Sequence, residues 1–455
     1  MTTAPARGAM HALRGDAITF RDDPFVAGAH ALRYQRDALI VVAEGRILDI
    51  GPADSLLGTL DPAVSVTRYD NSLMLPGFID AHVHYAQLPV IGAFGRTLLD
   101  WLQHHTFPVE QHFSDPALAE LTAEVFLDEC LRQGITTALV YGTVHEASVD
   151  AIFAAAQARG MRLVAGKVLM DRNAPAPLLE DARAGYDATA RLVARWHGKD
   201  RLQYAVTPRF APTSTAAQLE FAGALMREHA GLYLQTHLAE TRDEIGWVRE
   251  LFPGCSDYLG VYERYGLAVR RSVFGHGVHL DDSAWERLHA CGSAIAHCPT
   301  SNNFLGSGHF RMAEAKRPER RVHVALGTDV GAGTTLSMLA TMNEAYKVAR
   351  HTGYAMTAVQ AVWLATAGAA HALDMDDRVG ALEPGFDADI VVLDLAPTPL
   401  IAYRMRFCES IDEALGVLMM LGDDRAIRAT YVAGRLAHRR QDAEAGATAG
   451  RVQVK

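Results

Sequence analysis

In the stretch LPGFIDAHVHYAQ, residues 75–87, two histidines stand one residue apart where an apolar run ends. If that run is a strand that reaches His84, residues at i and i+2 project to the same side, so His82 and His84 could share one ion. Further polar residues follow other β-branched runs: His237 and Glu240 in QTHLAE, His276 in VFGHGVHL and Asp329 in LGTDVGAG. Imidazoles with one carboxylate suit zinc or iron(II), and a set that leaves a coordination position open marks a catalytic ion that activates water. Glu240, three residues after His237, is spaced to carry protons between such a water and a substrate, or equally to cap or pair at a helix start. Other histidines near run ends, His145, His279 and His297, read as hydrogen-bonded walls. Lys167 reads as a paired lysine and not as a carbamylated bridge between two metals.

The elements that must carry these residues repeat. Between residues 134 and 333 seven short apolar runs (134–143, 161–170, 201–210, 231–240, 271–280, 292–302 and 322–333) alternate with longer amphipathic stretches, and the run ending in HVH makes eight. Apolar strands alternating with helices mean a parallel sheet covered on both faces, and eight units favour a closed (β/α)8 TIM-like barrel. The chemistry-bearing residues fall at the C-terminal ends of the strands, where barrel active sites are built. Near both ends of the chain, residues 37–52, 380–395 and 430–437 read as β-hairpin grammar, which predicts a small β-sandwich assembled from both termini. The expected division is 1–73 and 379–440 for the sandwich, 74–378 for the metal-dependent barrel and 441–455 for a flexible tail.

Composition excludes several function classes. The 455 residues are 49% hydrophobic and 21% charged with a net charge of −10, which argues against a nucleic-acid or anionic-membrane surface. Five scattered cysteines (Cys130, Cys255, Cys291, Cys298, Cys408) form no CxxC pair, so neither a disulfide framework nor a thiolate zinc site is expected, and a reducing cytoplasm fits. The N-terminus has no apolar leader, and residues 358–373 are too short and interrupted to span a bilayer. GTDVGAGTT lacks the GK[ST] of a P-loop, and the chain holds no H-x-E with P-C-x-x-C of the cytidine-deaminase type.

Taken together, PGFIDAHVH, His237, His276, GTD and LEPGFDADIVVLD resemble the amidohydrolase superfamily in its single-metal deaminase branch. HYAQ, RTLLDWLQHHTFPVE, TPRFAPTS, THLAE, CPTSNNFLGSG and MMLGDDRAIRATYVAGR are similar to its guanine-deaminating members from about residue 70 to 437. The resemblance implies one zinc per chain, with iron(II) as an alternative, held by His82, His84, His237 and Asp329. It further implies Glu240 as proton shuttle, His276 and Asp329 as holders of the attacking water or its adduct, and Gln87, Arg209 and Phe210 as the grip on a purine. The implied reaction is hydrolysis of guanine to xanthine and ammonia, by a homodimer. A flat, nearly neutral purine calls for an aromatic face, an amide and a fixed guanidinium, which those three residues supply.

One departure stands out: His276 lies in GHG where relatives are expected to read closer to AHC, and two flanking glycines are expected to loosen the histidine or admit another loop. The competing readings are an aminohydrolase acting on 8-oxoguanine, S-adenosylhomocysteine or methylthioadenosine, or a triazine, a non-catalytic relative, and a two-metal amidase.

Overall fold

The structure is a computed structural model that describes residues 10–95 and 97–441. Of the expected flexible tail, 442–455 lie outside the described residues. Sixteen strands follow in chain order: β1 (His11–Phe20), β2 (Leu32–Ala43), β3 (Arg46–Pro52), β4 (Ser65–Pro76), β5 (Phe78–His84), β6 (Ile135–Tyr141), β7 (Arg162–Gly166) and β8 (Val168–Leu169), then β9 (Leu202–Pro208), β10 (Tyr233–Leu238), β11 (Ser272–His276), β12 (Ala294–His297), β13 (His323–Leu326), β14 (Ile390–Asp394), β15 (Ile427–Val432) and β16 (Arg435–Arg439).

Eight strands, β5, β6, β7, β9, β10, β11, β12 and β13, lie in sequence order and pair in parallel. The first and eighth strands share no ladder, but the chain beyond β13 closes the gap: Asp329 N donates to His82 O at 2.8 Å and His84 N to Val330 O at 2.8 Å. These two bonds close the (β/α)8 barrel at the end where the imidazoles sit, and the closing segment carries Asp329.

The sequence run containing PGFIDAHVH divides between two sheets. Leu73–Pro76 finishes β4, Gly77 makes the crossing, and Phe78 begins the barrel. A side chain at 77 would stand 2.2 Å from Thr136 Oγ1, which is why only glycine turns this corner.

The seven-stranded mixed sheet, in the order β16-β15-β14-β4-β1-β2-β3, draws strands from both ends of the chain. Period-two alternation sorts its residues between two cores. Met74, Ile390 and Val392 join Leu13, Ile40 and Tyr431 in a cluster of the sheet's own, whereas Leu73, Leu75, Val391 and Leu393 join Phe78, Phe126 and Ile135 of the barrel. Both hairpins read from the sequence are present. Glu44 and Gly45 (φ 50° and 80°) connect β2 to β3, and Ala433 and Gly434 (φ 45° and 72°) connect β15 to β16, the left-handed pairs that a two-residue primed turn demands.

Candidate active site

β5 carries both His82 and His84, whose ring centroids lie 5.2 Å apart, and both are buried. His237 sits in β10, and Asp329 follows β13 through the pair Gly327-Thr328. The structure brings all four together, their candidate ligand atoms within 4.8 Å of one another. His82 Nε2 and His84 Nε2 stand 3.3 and 3.4 Å from Asp329 Oδ1, and His84 Nε2 stands 3.2 Å from His237 Nε2.

The tautomer of His237 follows from its partner. Nδ1 lies 2.6 Å from the carbonyl oxygen of Arg209, which can only accept, so Nδ1 donates and Nε2 keeps its lone pair. Burial holds His82 below its ordinary pKa and His84 and His237 well below theirs, so their neutral rings aim lone pairs at one point. Burial alone would raise Asp329, but the imidazoles of His82, His276 and His84 hold its carboxyl below the usual range. Neutral imidazoles around a carboxylate, with the buried His82 Nε2 facing the cluster and lacking a hydrogen-bond partner, form a donor set that a divalent cation satisfies. A second grouping, His82, His276, Cys298 and Asp329, shares two of these members. Burial keeps the Cys298 thiol protonated, and His276 has its Nδ1 engaged, so the first grouping is the better metal site.

Beside this point His276 donates through Nδ1 to Asn302 Oδ1 at 2.8 Å, leaving Nε2 facing Glu240 Oε2 at 3.4 Å and Asp329 Oδ2 at 3.7 Å. Burial raises the pKa of Glu240, while Glu240 and Asp329 together outweigh burial and raise that of His276. Glu240 Oε1 accepts from Ser307 Oγ at 2.8 Å, which turns the other oxygen toward His276. Opposite lies a cavity lined by His84, Gln87, Trp101, Arg209, Phe210 and Glu240.

The glycines around His276 do not loosen it. The ring is buried, and a side chain at 275 would stand 2.6 Å from His82 Cε1, while one at 327 would stand 2.7 Å from His82 Cβ. Gly275 and Gly327 therefore admit the His82 ring, and Gly277 (φ 58°) turns the chain away after β11.

The amidohydrolase family profile matches residues 73–437. The chain belongs to that family. Guanine deaminase of Escherichia coli (strain K12) is 46% identical over 412 residues, covering 90% of this chain and 93% of that one. A solved structure of E. coli guanine deaminase superposes with a TM-score of 0.93 at 45% identity, covering 95% of this chain and all of that one. Guanine deaminase from C. acetobutylicum, solved with guanine bound in its active site, superposes at 0.84 with 26% identity, covering 94% and 99%.

Several residues that shape this amidohydrolase site carried no assigned role in the sequence reading. Asp80, two residues before His82, accepts from Thr328 N (2.9 Å), Thr328 Oγ1 (2.5 Å) and His82 N (3.2 Å), tying the first strand to the eighth. Glu244 accepts from the backbone N–H of Glu240 and Thr241, both at 3.2 Å, in a capping box whose T-x-x-E spacing was legible. Asn302 and Ser307 lie within CPTSNNFLGSG, a segment whose resemblance was plain and whose contacts were not. Glu110, which binds Gln87 and Arg209, ends the segment RTLLDWLQHHTFPVE, whose resemblance was noted but whose contacts were not. As expected of a hydrogen-bonded wall, His279 donates to Ser307 O at 2.8 Å, whereas His297 stacks on Phe310 at 4.6 Å and its buried Nδ1 has no hydrogen-bond partner. Lys167 pairs with Glu180, away from the imidazoles.

Proposed function

We propose that the protein catalyses the hydrolytic deamination of guanine to xanthine and ammonia, a step of purine catabolism. The observation that carries this reading is one cavity lined by Gln87, Arg209, Phe210 and Glu240 together with His84, His237 and Asp329 of the candidate metal cluster. The relatives named above support it.

In this proposal His82, His84, His237 and Asp329 hold one zinc ion, with iron(II) as the alternative. Such an ion lowers the pKa of a bound water toward neutrality and stabilises charge that develops on oxygen. The chain's own residues do the rest. Phe210 faces the flat purine, and Gln87 and Arg209 hydrogen-bond its edge, so that C2 lies over the cluster. Glu240 accepts a proton from the attacking water and delivers it to the ring nitrogen beside C2, then carries the second proton of the same oxygen to the departing amino group, which leaves as ammonia. Burial raises the pKa of Glu240, which favours its holding a proton between the two transfers. His276 Nε2, free of other partners, steadies the attacking oxygen, and Asp329 Oδ2 shares its proton.

A homodimer in a reducing cytoplasm belongs to the same proposal. The five cysteines are free, and Leu400, Tyr403 and Phe407 expose a small apolar face around one helix. Among the described residues no helix is long and apolar enough to cross a membrane.

The test is ultraviolet-monitored turnover of guanine by zinc-loaded protein, beside 8-oxoguanine, adenine, adenosine, S-adenosylhomocysteine and melamine. Guanine alone should yield xanthine and ammonia. The Glu240→Gln variant should bind zinc and lose activity by a factor of about 10² to 10⁴, the usual worth of a positioned acid/base. Turnover of another amino-heterocycle with guanine inert would sink the substrate assignment.

A further inference from the structure

The geometry points to Glu110 as the positioning residue that makes the cavity selective for purines carrying an oxygen at C6, an inference that rests on the guanine reading above. Glu110 ends a short helix, Phe107–Glu110, in the excursion between β5 and β6, and its side chain is buried at 1% exposure. Its two oxygens divide between the two polar residues assigned to the purine. Gln87 Nε2 donates to Oε1 at 2.8 Å, and Arg209 Nη1 donates to Oε2 at 2.7 Å.

A carboxylate only accepts, so it fixes the orientation of everything that binds it. The amide of Gln87 must turn its NH2 toward Glu110, which places its oxygen toward Gly331 N, donating at 3.3 Å. Arg209 must spend Nη1 on Glu110, and its Cζ lies 5.4 Å from the Phe107 ring centroid, so the guanidinium is held on one edge and one face. Its remaining N–H groups make no hydrogen bond within the described residues, and the residue lines the cavity. A ligand oxygen at C6 completes them. A C6–H leaves a desolvated guanidinium donor unpaired, and such an omission discriminates more strongly than a missing apolar contact.

Replacing Glu110 with glutamine keeps the shape and removes one acceptor. Because the two donors lie at different carboxylate oxygens, the new NH2 must face either the guanidinium or Gln87. The pairing that leaves Arg209 satisfied reverses the Gln87 amide and sets its NH2 against the N–H of Gly331.

Binding of hypoxanthine, which has the C6 oxygen, and of unsubstituted purine, which lacks it, is measured by calorimetry on the zinc-loaded full-length protein and on Glu110→Gln. Neither ligand carries a 2-amino group, so the comparison does not depend on turnover. The wild type is expected to bind hypoxanthine at least tenfold more tightly than purine. In Glu110→Gln that preference should fall about tenfold while zinc content and purine affinity hold. A merely structural role would weaken both ligands in parallel, and parallel loss overturns the proposal, as does a preference that changes less than threefold or is absent from the wild type. If Glu110→Gln does not fold, Glu110→Asp, which keeps the charge but withdraws it by one methylene, is measured against the same threefold limit. Failure of the guanine reading shows separately, as wild-type protein that prefers hypoxanthine yet does not deaminate guanine.

Discussion

Gly275→Ala tests whether the His82 ring has any freedom. Gly275 lies within β11, hydrogen-bonded on both sides to parallel neighbours, and its φ is not in the left-handed region, so alanine costs nothing in backbone conformation. The cost is steric. The new methyl would stand 2.6 Å from His82 Cε1 and 3.0 Å from Nδ1, whereas ordinary contact begins at 3.4 Å, so the ring must retreat by about 0.8 Å. It has little room, because the rings of His237, Tyr141, His84 and His276 lie at centroid distances of 4.8, 4.9, 5.2 and 5.4 Å. Metal ligands tolerate about 0.2 Å, so a shift of that size removes one of four ligands from useful geometry. The expected outcome is a loss of at least about 100-fold in zinc affinity, equivalent to about 2.7 kcal/mol, together with about 1–3 kcal/mol of overpacking. Zinc affinity is read by competition with a chromophoric chelator, and stability by urea unfolding of the metal-free protein. Gly246→Ala is the control, since a methyl there meets nothing within 4 Å. A Gly275→Ala protein that binds zinc and turns over substrate within threefold of wild type would refute the argument that the two glycines beside His82 exist to admit its ring.

Stripping the metal with a chelator should abolish activity, and stoichiometric zinc should restore it; the melting temperature should climb with free zinc, by the equivalent of about 2.7 kcal/mol at 100 times Kd. A melting temperature indifferent to zinc would contradict the metal assignment. Burial first, with Glu240 adding, pushes Glu244 from 4.5 to about 7. Its folded pKa is raised, so the stabilisation it gives relative to Glu244→Gln is complete below about pH 4.5 and is lost as pH rises through about 7. Urea unfolding of both proteins at pH 4.5 and pH 8 should show that difference shrinking by on the order of 3 kcal/mol. An unchanged difference would mean that Glu244 titrates as it does in the unfolded chain.

Much of the site was legible because it obeys short-range rules. His82 and His84 follow the period of two, and His237, His276 and Asp329 follow the rule that barrel chemistry gathers where parallel strands end. Asp80 also sits in that periodic run, but an acid beside two histidines reads equally as a ligand or a brace. Its three bonds to Thr328 and His82 identify it as the brace.

The sequence by itself determined which residues could do chemistry and on what frame: eight apolar strands, hairpins at both ends and histidines at the strand ends, all set by local periodicity and turn stereochemistry. Only the tertiary structure decided how those residues are held. Glu110 meets Gln87 across 23 residues and Arg209 across 99, and Ser307 meets Glu240 across 67. No pattern along the chain encodes such pairings, because burial removes water as a partner and leaves each polar group to whichever acceptor or donor the closed barrel brings within reach.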